Sequence, residues 1–262
     1  MIPKVKLESL ELSRLVCGTN SFCGISHRTI ARDMFYSEYF TVERIAEILS
    51  YIYEEFGVNS LVSSPRDNLV EALKLVEKEH GDVYHWICTP GHGRKTASGK
   101  TGQGDIFDQI QWCADHNVKV CMPHRSYTDA YLNSAENEIK GIPEIAAAIR
   151  DHGMIPGLST HYHAAIRICR IQRYDISLII QPLNTLGFNS DVEVNSLISE
   201  IKGSRIQILN IKPMAAGRLL PEIGLNFCFN NIKENDLVAC GFDSIHEADY
   251  DCQLAEKILR KH

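Results

Sequence analysis

Met154-Ile155-Pro156-Gly157-Leu158-Ser159 and, further on, Ile176-Ser177-Leu178-Ile179-Ile180-Gln181 are the stretches whose reading decides the fold. Both are short, almost continuous apolar runs, as strands buried on both faces of a parallel sheet should be. Working outward, the same kind of run recurs at Leu15–Gly18, Val58–Ser63, Val83–Thr89, Val118–Met122, Ile206–Lys212 and Leu237–Phe242, giving eight candidates in all.

The segments between the runs carry helix signals. Thr41 suits the cap of a helix whose Val42, Ile45, Ile48, Leu49, Ile52 and Phe56 share one face and which ends before Gly57. Pro143 suits a first helical turn and Gly153 the position just past that helix. Ser190 with Glu193, and Ser244 with Glu247, have capping-box spacing. Residues 222–232 have poor periodicity. Strand–helix alternation repeated eight times predicts an α/β fold, a (β/α)8 TIM barrel, with an N-terminal β-hairpin near Val5–Ser13 covering one mouth. Nothing divides the chain, so residues 1–262 read as one barrel domain.

Composition narrows the function. The net charge of −6 argues against broad electrostatic binding to nucleic acid or anionic membrane. There is no 18-residue apolar run and no signal-peptide pattern. The nine cysteines are scattered without a Cys-x-x-Cys pair, which suits a reducing, cytoplasmic setting. The expected partner is a small-molecule substrate, with no nucleic acid and no membrane; the oligomeric state stays open.

Barrel active sites form at the C-terminal strand ends, so the polar residues there are the candidates. His124 follows the fourth run and suits an acid, a base or a ligand. Lys212 closes the seventh; a lysine in a barrel mouth meets an anion, or loses its charge and becomes a base or nucleophile. Both are expected to face one cavity. His161 and His163 follow the fifth run at i, i+2 spacing, which in an extended chain turns two metal ligands the same way. Asn20, Asn184 and Arg218 suit substrate hydroxyls, carbonyls or anions. The first loop, 20–40, adds His27, Arg28, Arg32, Tyr36 and Tyr39. The stretch Gly91-His92-Gly93-Arg94-Lys95-Thr96-Ala97-Ser98-Gly99-Lys100-Thr101-Gly102-Gln103-Gly104 misses phosphate-loop spacing and reads as a basic lid. Cys17, Cys88, Cys121 and Cys240 are strand cysteines that pack, with the barrel interior as their meeting place.

Several segments resemble the aldo/keto reductases. Lys6-Leu7 and Leu12-Ser13-Arg14-Leu15-Val16-Cys17-Gly18-Thr19-Asn20-Ser21-Phe22 look like that family's hairpin and first strand. Gly157-Leu158-Ser159-Thr160-His161, Ile180-Gln181-Pro182-Leu183-Asn184, Ile211-Lys212-Pro213-Met214-Ala215-Ala216-Gly217-Arg218-Leu219 and Cys240-Gly241-Phe242-Asp243-Ser244 look like its fifth to eighth strand ends. The resemblance implies a divergent member. The family's Asp is replaced by Val62-Ser63-Ser64, its Tyr is missing from Pro65-Arg66-Asp67-Asn68, and its Lys is replaced by Cys88-Thr89-Pro90. Only its His is kept, as His124. Ser159 and Gln181 match groups that hold the cofactor's carboxamide. After the eighth strand, Asp243 and Glu247 stand where cations usually meet the 2′-phosphate of NADP. NADP is thereby disfavoured; NAD or a divalent metal is the cofactor left open.

The leading expectation is an enzyme acting on a small polar carbonyl or carbohydrate-like compound by non-redox acid–base chemistry, isomerase or lyase in type, with metal assistance left open. Two alternatives stand beside it. One is an NAD-dependent reductase with a substitute proton donor from the first loop, and the other is a non-catalytic ligand-binding or partner protein.

Overall fold

The first residues pair as an antiparallel hairpin, β1 (Lys4–Leu7) and β2 (Leu10–Ser13), turning at Glu8. In the computed structural model, which describes residues 1–91 and 105–260, eight parallel strands then close into a barrel. These are β3 (Leu15–Gly18), β4 (Ser60–Ser63), β5 (His85–Cys88), β6 (Val120–Cys121), then, after a small hairpin of β7 (Leu132–Asn133) and β8 (Glu138–Ile139), β9 (Ile155–Ser159), β10 (Leu178–Pro182), β11 (Gln207–Ile211) and β12 (Leu237–Gly241). Neighbours follow chain order and β12 closes on β3.

Side chains alternate across the wall. Val16, Ile87, Val120, Met122, Ile155, Leu178, Ile180, Leu209, Leu237 and Ala239 fill the interior, and Leu7 and Leu12 of the hairpin join that cluster from below. The hairpin thus plugs the N-terminal mouth, and burying those two leucines contributes about 2 kcal/mol each. Arg150 holds its turn with paired bonds to Glu8 at 2.6 and 2.7 Å while also bonding Asp175.

The outer layer contains α1 (Ile30–Tyr39), α2 (Val42–Phe56), α3 (Asp67–His80), α4 (Ile106–Asp115), α5 (Arg125–Tyr131), α6 (Ile142–Asp151), α7 (Ala164–Gln172), α8 (Val194–Gly203), α9 (Pro221–Asn231) and α10 (Ile245–Leu259). Thr41 caps α2, which ends on left-handed Gly57 (φ 70°). Ser244 caps α10, and Glu247 returns a bond to Asp243 N rather than to the cap itself. The proposed box at Ser190 does not form. Glu193 is itself the cap of α8, accepting from Asn195 N and Ser196 N, because its carboxylate reaches those orphan donors directly.

The four strand thiols pack in the core, as expected, and only their meeting place differs. Cys17, Cys88, Cys121 and Cys240 belong to the layer between strands and helices, not to the barrel interior. All nine cysteines are free. Among the described residues, no helix is long and apolar enough to cross a membrane.

Candidate active site

The site is built from loops at the C-terminal ends of the strands. β11 is followed by Lys212, whose backbone is left-handed (φ 63°), and the loop beyond holds Ala215, Ala216 and Gly217 in the same region (φ 50°, 57° and 73°). An alanine there costs roughly 1 kcal/mol or more, so the surroundings must hold it. Gly224 of α9 lies so close that a Cβ would stand 2.6 Å from Pro213 O. Arg218 bonds Ala215 O at 2.9 Å and Arg28 bonds Gly217 O at 2.8 Å.

Lys212 Nζ lies 3.1 Å from His27 Nε2, and Asn20 Nδ2 lies 3.3 Å from the same nitrogen. Ammonium and amide N–H groups donate, so His27 Nε2 accepts and its ring proton sits on Nδ1. Asn20 and Lys212 thus converge on a histidine of the first loop.

His124 caps α5. Its Nδ1 accepts the Ser126 N–H at 3.1 Å. A backbone N–H can only donate, so the neutral ring carries its proton on Nε2. Gly91 makes room for this histidine, since a Cβ at 91 would stand 2.5 Å from His124 Cβ.

His161 sits in the turn after β9. Asp129 of α5 holds that turn, accepting Thr160 Oγ1 at 2.6 Å and His161 N at 3.2 Å. Burial, reinforced by Arg125, Lys212, His124 and His27, drives the His161 imidazole down to about 3. His161 is therefore neutral at ordinary pH and keeps a lone pair for a hydrogen bond.

The other candidates fall elsewhere. His163 begins a helical turn (φ −56°, ψ −31°) and bonds Asp191 at 2.9 Å, so the extended geometry needed to aim it with His161 is missing. Asn184 is 2% exposed, and its side chain bonds Leu186 N, Phe188 N and Phe188 O. Those bonds shape the loop after β10. That loop presents Phe188, whose ring centre lies 4.5 Å from Arg218 Cζ and 6.0 Å from Lys212 Nζ. The lid reading falls on residues 92–104, outside the described residues.

A nicotinamide cofactor fits these residues poorly. Ser159 lies on β9, 5% exposed, on the inward side of the alternation. Gln181 follows inward Ile180 and is therefore turned to the outer layer, fully buried, with no partner for its amide atoms among the described residues. Thr160 is committed to Asp129. After β12, Asp243 receives Arg32 at 2.9 Å and the Tyr36 hydroxyl, so α1 of this chain lies across that position. Tyr36 is thereby also removed as a substitute phenol, and Tyr39 packs against Phe35 and Arg44.

For a metal, the group of three whose ligand atoms lie within 4.8 Å among the described residues is Glu54, Glu79 and His80, on the outer surface of α2 and α3. It does not involve His161 or His163. A cleft of about 260 Å³ between α3 and α4, lined by Tyr84, Trp86 and His116, opens near the opposite end of the strands.

In the sequence His27 and Arg28 are only members of a long loop, and Arg125, Asp129 and Phe188 sit outside every motif. No local spacing marks them.

No protein-family profile matches the chain, and no curated protein matches it. Solved structures do. Two structures of a "putative aldo-keto reductase" from Pseudomonas aeruginosa align with TM-scores of 0.68 at 14% and 15% identity, over 98% of this chain and 95% and 94% of theirs. A phospho-2-dehydro-3-deoxyheptonate aldolase of Thermotoga maritima aligns at TM-score 0.53 and 10% identity, over 99% of this chain and 72% of that one. At these identities the likeness establishes the fold. The chain is a closed (β/α)8 barrel with an N-terminal hairpin, the fold it shares with those structures.

Proposed function

We propose that this barrel is an enzyme that binds a small anionic carbonyl or carbohydrate-like compound at its C-terminal mouth and moves protons on it, isomerase or lyase in type. The observation that carries the reading is the pairing of Lys212 Nζ with His27 Nε2 at 3.1 Å, at the end of the barrel where substrates of this fold bind. His124 Nε2–H and the Lys212 ammonium are donors suited to a carbonyl oxygen as it gains negative charge. As the Lys212 ammonium turns from His27 Nε2 to the developing oxyanion, the freed Nε2 lone pair takes a proton from the neighbouring carbon, and the resulting imidazolium returns it to the adjacent atom, leaving the net proton count unchanged. Neutral His161 accepts from a substrate hydroxyl.

A second reading, an NAD-dependent carbonyl reductase, is favoured by the fold likeness to the Pseudomonas structures. In it, the Lys212–His27 pair supplies the proton that a phenol supplies elsewhere. Incubation of phosphorylated and carboxylated aldoses and ketoses in D2O, followed by NMR, separates the two. The first reading expects deuterium uptake beside the carbonyl, abolished by His124→Ala and by Lys212→Met with the melting temperature nearly unchanged. NADH or NADPH oxidation on the order of 1 s⁻¹ or faster establishes the second reading instead. Unfolding of both variants sinks the catalytic assignment of the two residues.

A further inference from the structure

The last turns of α2 and α3 meet at the N-terminal end of the barrel wall, where Gly57 and Gly81 lead on to β4 and β5. The ligand atoms of Glu54, in α2, and of Glu79 and His80, in α3, all lie within 4.8 Å of one another. His80 Nε2 stands 3.7 Å from Glu54 Oε1 and 3.6 Å from Glu79 Oε2. An imidazole that donates to a carboxylate closes to about 2.8 Å on one oxygen. His80 does not. Its Nε2 stays almost equally far from two oxygens, is wholly buried, and has no hydrogen-bond partner among the described residues. The His80 side chain is 11% exposed, against 54% for Glu54 and 66% for Glu79, so a buried nitrogen faces two oxygens that reach water. The spacing is too long for hydrogen bonds and suits the edges of a coordination tetrahedron. Nitrogen and oxygen ligands about 2.0–2.2 Å from zinc stand about 3.4 Å apart.

Neighbouring groups hold these side chains in place. The Tyr53 ring lies against His80 with ring centres 5.5 Å apart, and the Ser50 hydroxyl donates to Glu79 Oε2 at 3.4 Å. Partners of this kind orient metal ligands. Charge points the same way. Glu54 and Glu79 put carboxylates in the last turns of two helices, where the backbone dipole already disfavours them. The last turn of α2 has no basic residue to offset this. A divalent cation relieves both carboxylates and both dipoles at once. One imidazole with two carboxylates suits zinc ahead of magnesium or calcium, which prefer oxygen ligands alone.

We infer that Glu54, Glu79 and His80 form a zinc site that clasps the ends of α2 and α3, with the remaining position left to water. The site lies by the N-terminal ends of the strands, the face of such barrels that serves stability rather than chemistry. Its metal is structural, and it stands whether or not the opposite mouth catalyses.

The full chain, dialysed first against a chelator, is titrated calorimetrically with zinc chloride. A single ion should bind at about 10 µM. Zinc at tenfold excess over that value should raise the melting temperature by about 3 °C. Glu54→Gln and Glu79→Gln, both at exposed positions, should each weaken binding about tenfold or more and cancel the shift. His80→Ala should abolish binding; if it does not fold, the two glutamine variants decide. Cobalt(II) in place of zinc should give the visible absorption of a tetrahedral nitrogen–oxygen set, lost in Glu54→Gln. A sulfur-to-cobalt charge-transfer band that survives Glu54→Gln places the ion on cysteine and overturns the site. So do heats no greater than those of magnesium chloride, and so does zinc affinity unchanged in both glutamine variants.

Discussion

Replacing Asp251 by asparagine changes stability in a way whose pH dependence follows from the packing of α10. Asp251 is 1% exposed, facing β12; one oxygen accepts the Cys240 thiol at 3.4 Å, and the other has no partner among the described residues. Burial drives the carboxyl up to about 7 from an ordinary 3.8, against the Cys240 hydrogen bond, with Glu247 and Glu222 adding to the rise. Between those two values the unfolded chain has released the proton and the folded chain still holds it. Stability therefore falls as pH rises from about 4 to about 7 and is flat beyond. At 1.36 kcal/mol per unit, the buried acid costs on the order of 4 kcal/mol by pH 8. Asp251→Asn keeps the shape and removes the titration. Its amide adds a donor to satisfy, an offset of about 1 kcal/mol that does not vary with pH. The diagnostic quantity is the slope of the variant-minus-wild-type difference. His161, held low, and Asp236, held high, act equally in both proteins and cancel in that difference. Urea unfolding at pH 4.5, 6, 7 and 8 should show the difference climbing by about 3 to 4 kcal/mol in favour of the Asp251→Asn variant. A difference that stays level from pH 5 to pH 8 refutes the reasoning, because the carboxylate then ionises without penalty and must be hydrated.

Two glycines yield further predictions. Gly91→Ala places a Cβ 2.5 Å from His124 Cβ and 3.1 Å from its Cγ, so the imidazole must shift; turnover should fall about a hundredfold with little change in melting temperature, and unchanged kcat/KM would separate His124 from the chemistry. Gly157→Ala drives a methyl to 2.5 Å from Met122 Cε and 2.8 Å from Leu178 O in the barrel wall. The carbonyl cannot yield, so denaturant unfolding should report a loss of about 1 to 3 kcal/mol; a neutral result would mean that the wall opens at β9.

The parts of this molecule that were legible in sequence, and those that were not, divide along one physical line. Eight strands are visible because a strand buried on both faces must be apolar throughout. The same property hides which side chains face the axis, since no in–out alternation survives. That is why the four strand thiols looked like interior residues, and why Gln181 looked like a mouth residue when it faces the helices. The first loop fails for a related reason. α1 leaves Ile30, Met34 and Phe35 exposed and buries Tyr36, so no apolar stripe announces a helix there.

For the site, convergence of strand ends on the barrel axis is enough to place the residues after β6 and β11, His124 and Lys212, at the same end of the barrel. Which loop residue completes the pair is a different kind of fact. His27 meets Lys212 across 185 positions of chain, and it does so because its own left-handed backbone (φ 57°) and the bond from Arg28 to Gly217 O fold the first loop over the seventh. Nothing periodic encodes that contact. The Lys212–His27 contact therefore depends on two loops being ordered against each other, and Arg28, through its bond to Gly217 O, is the residue that ties them.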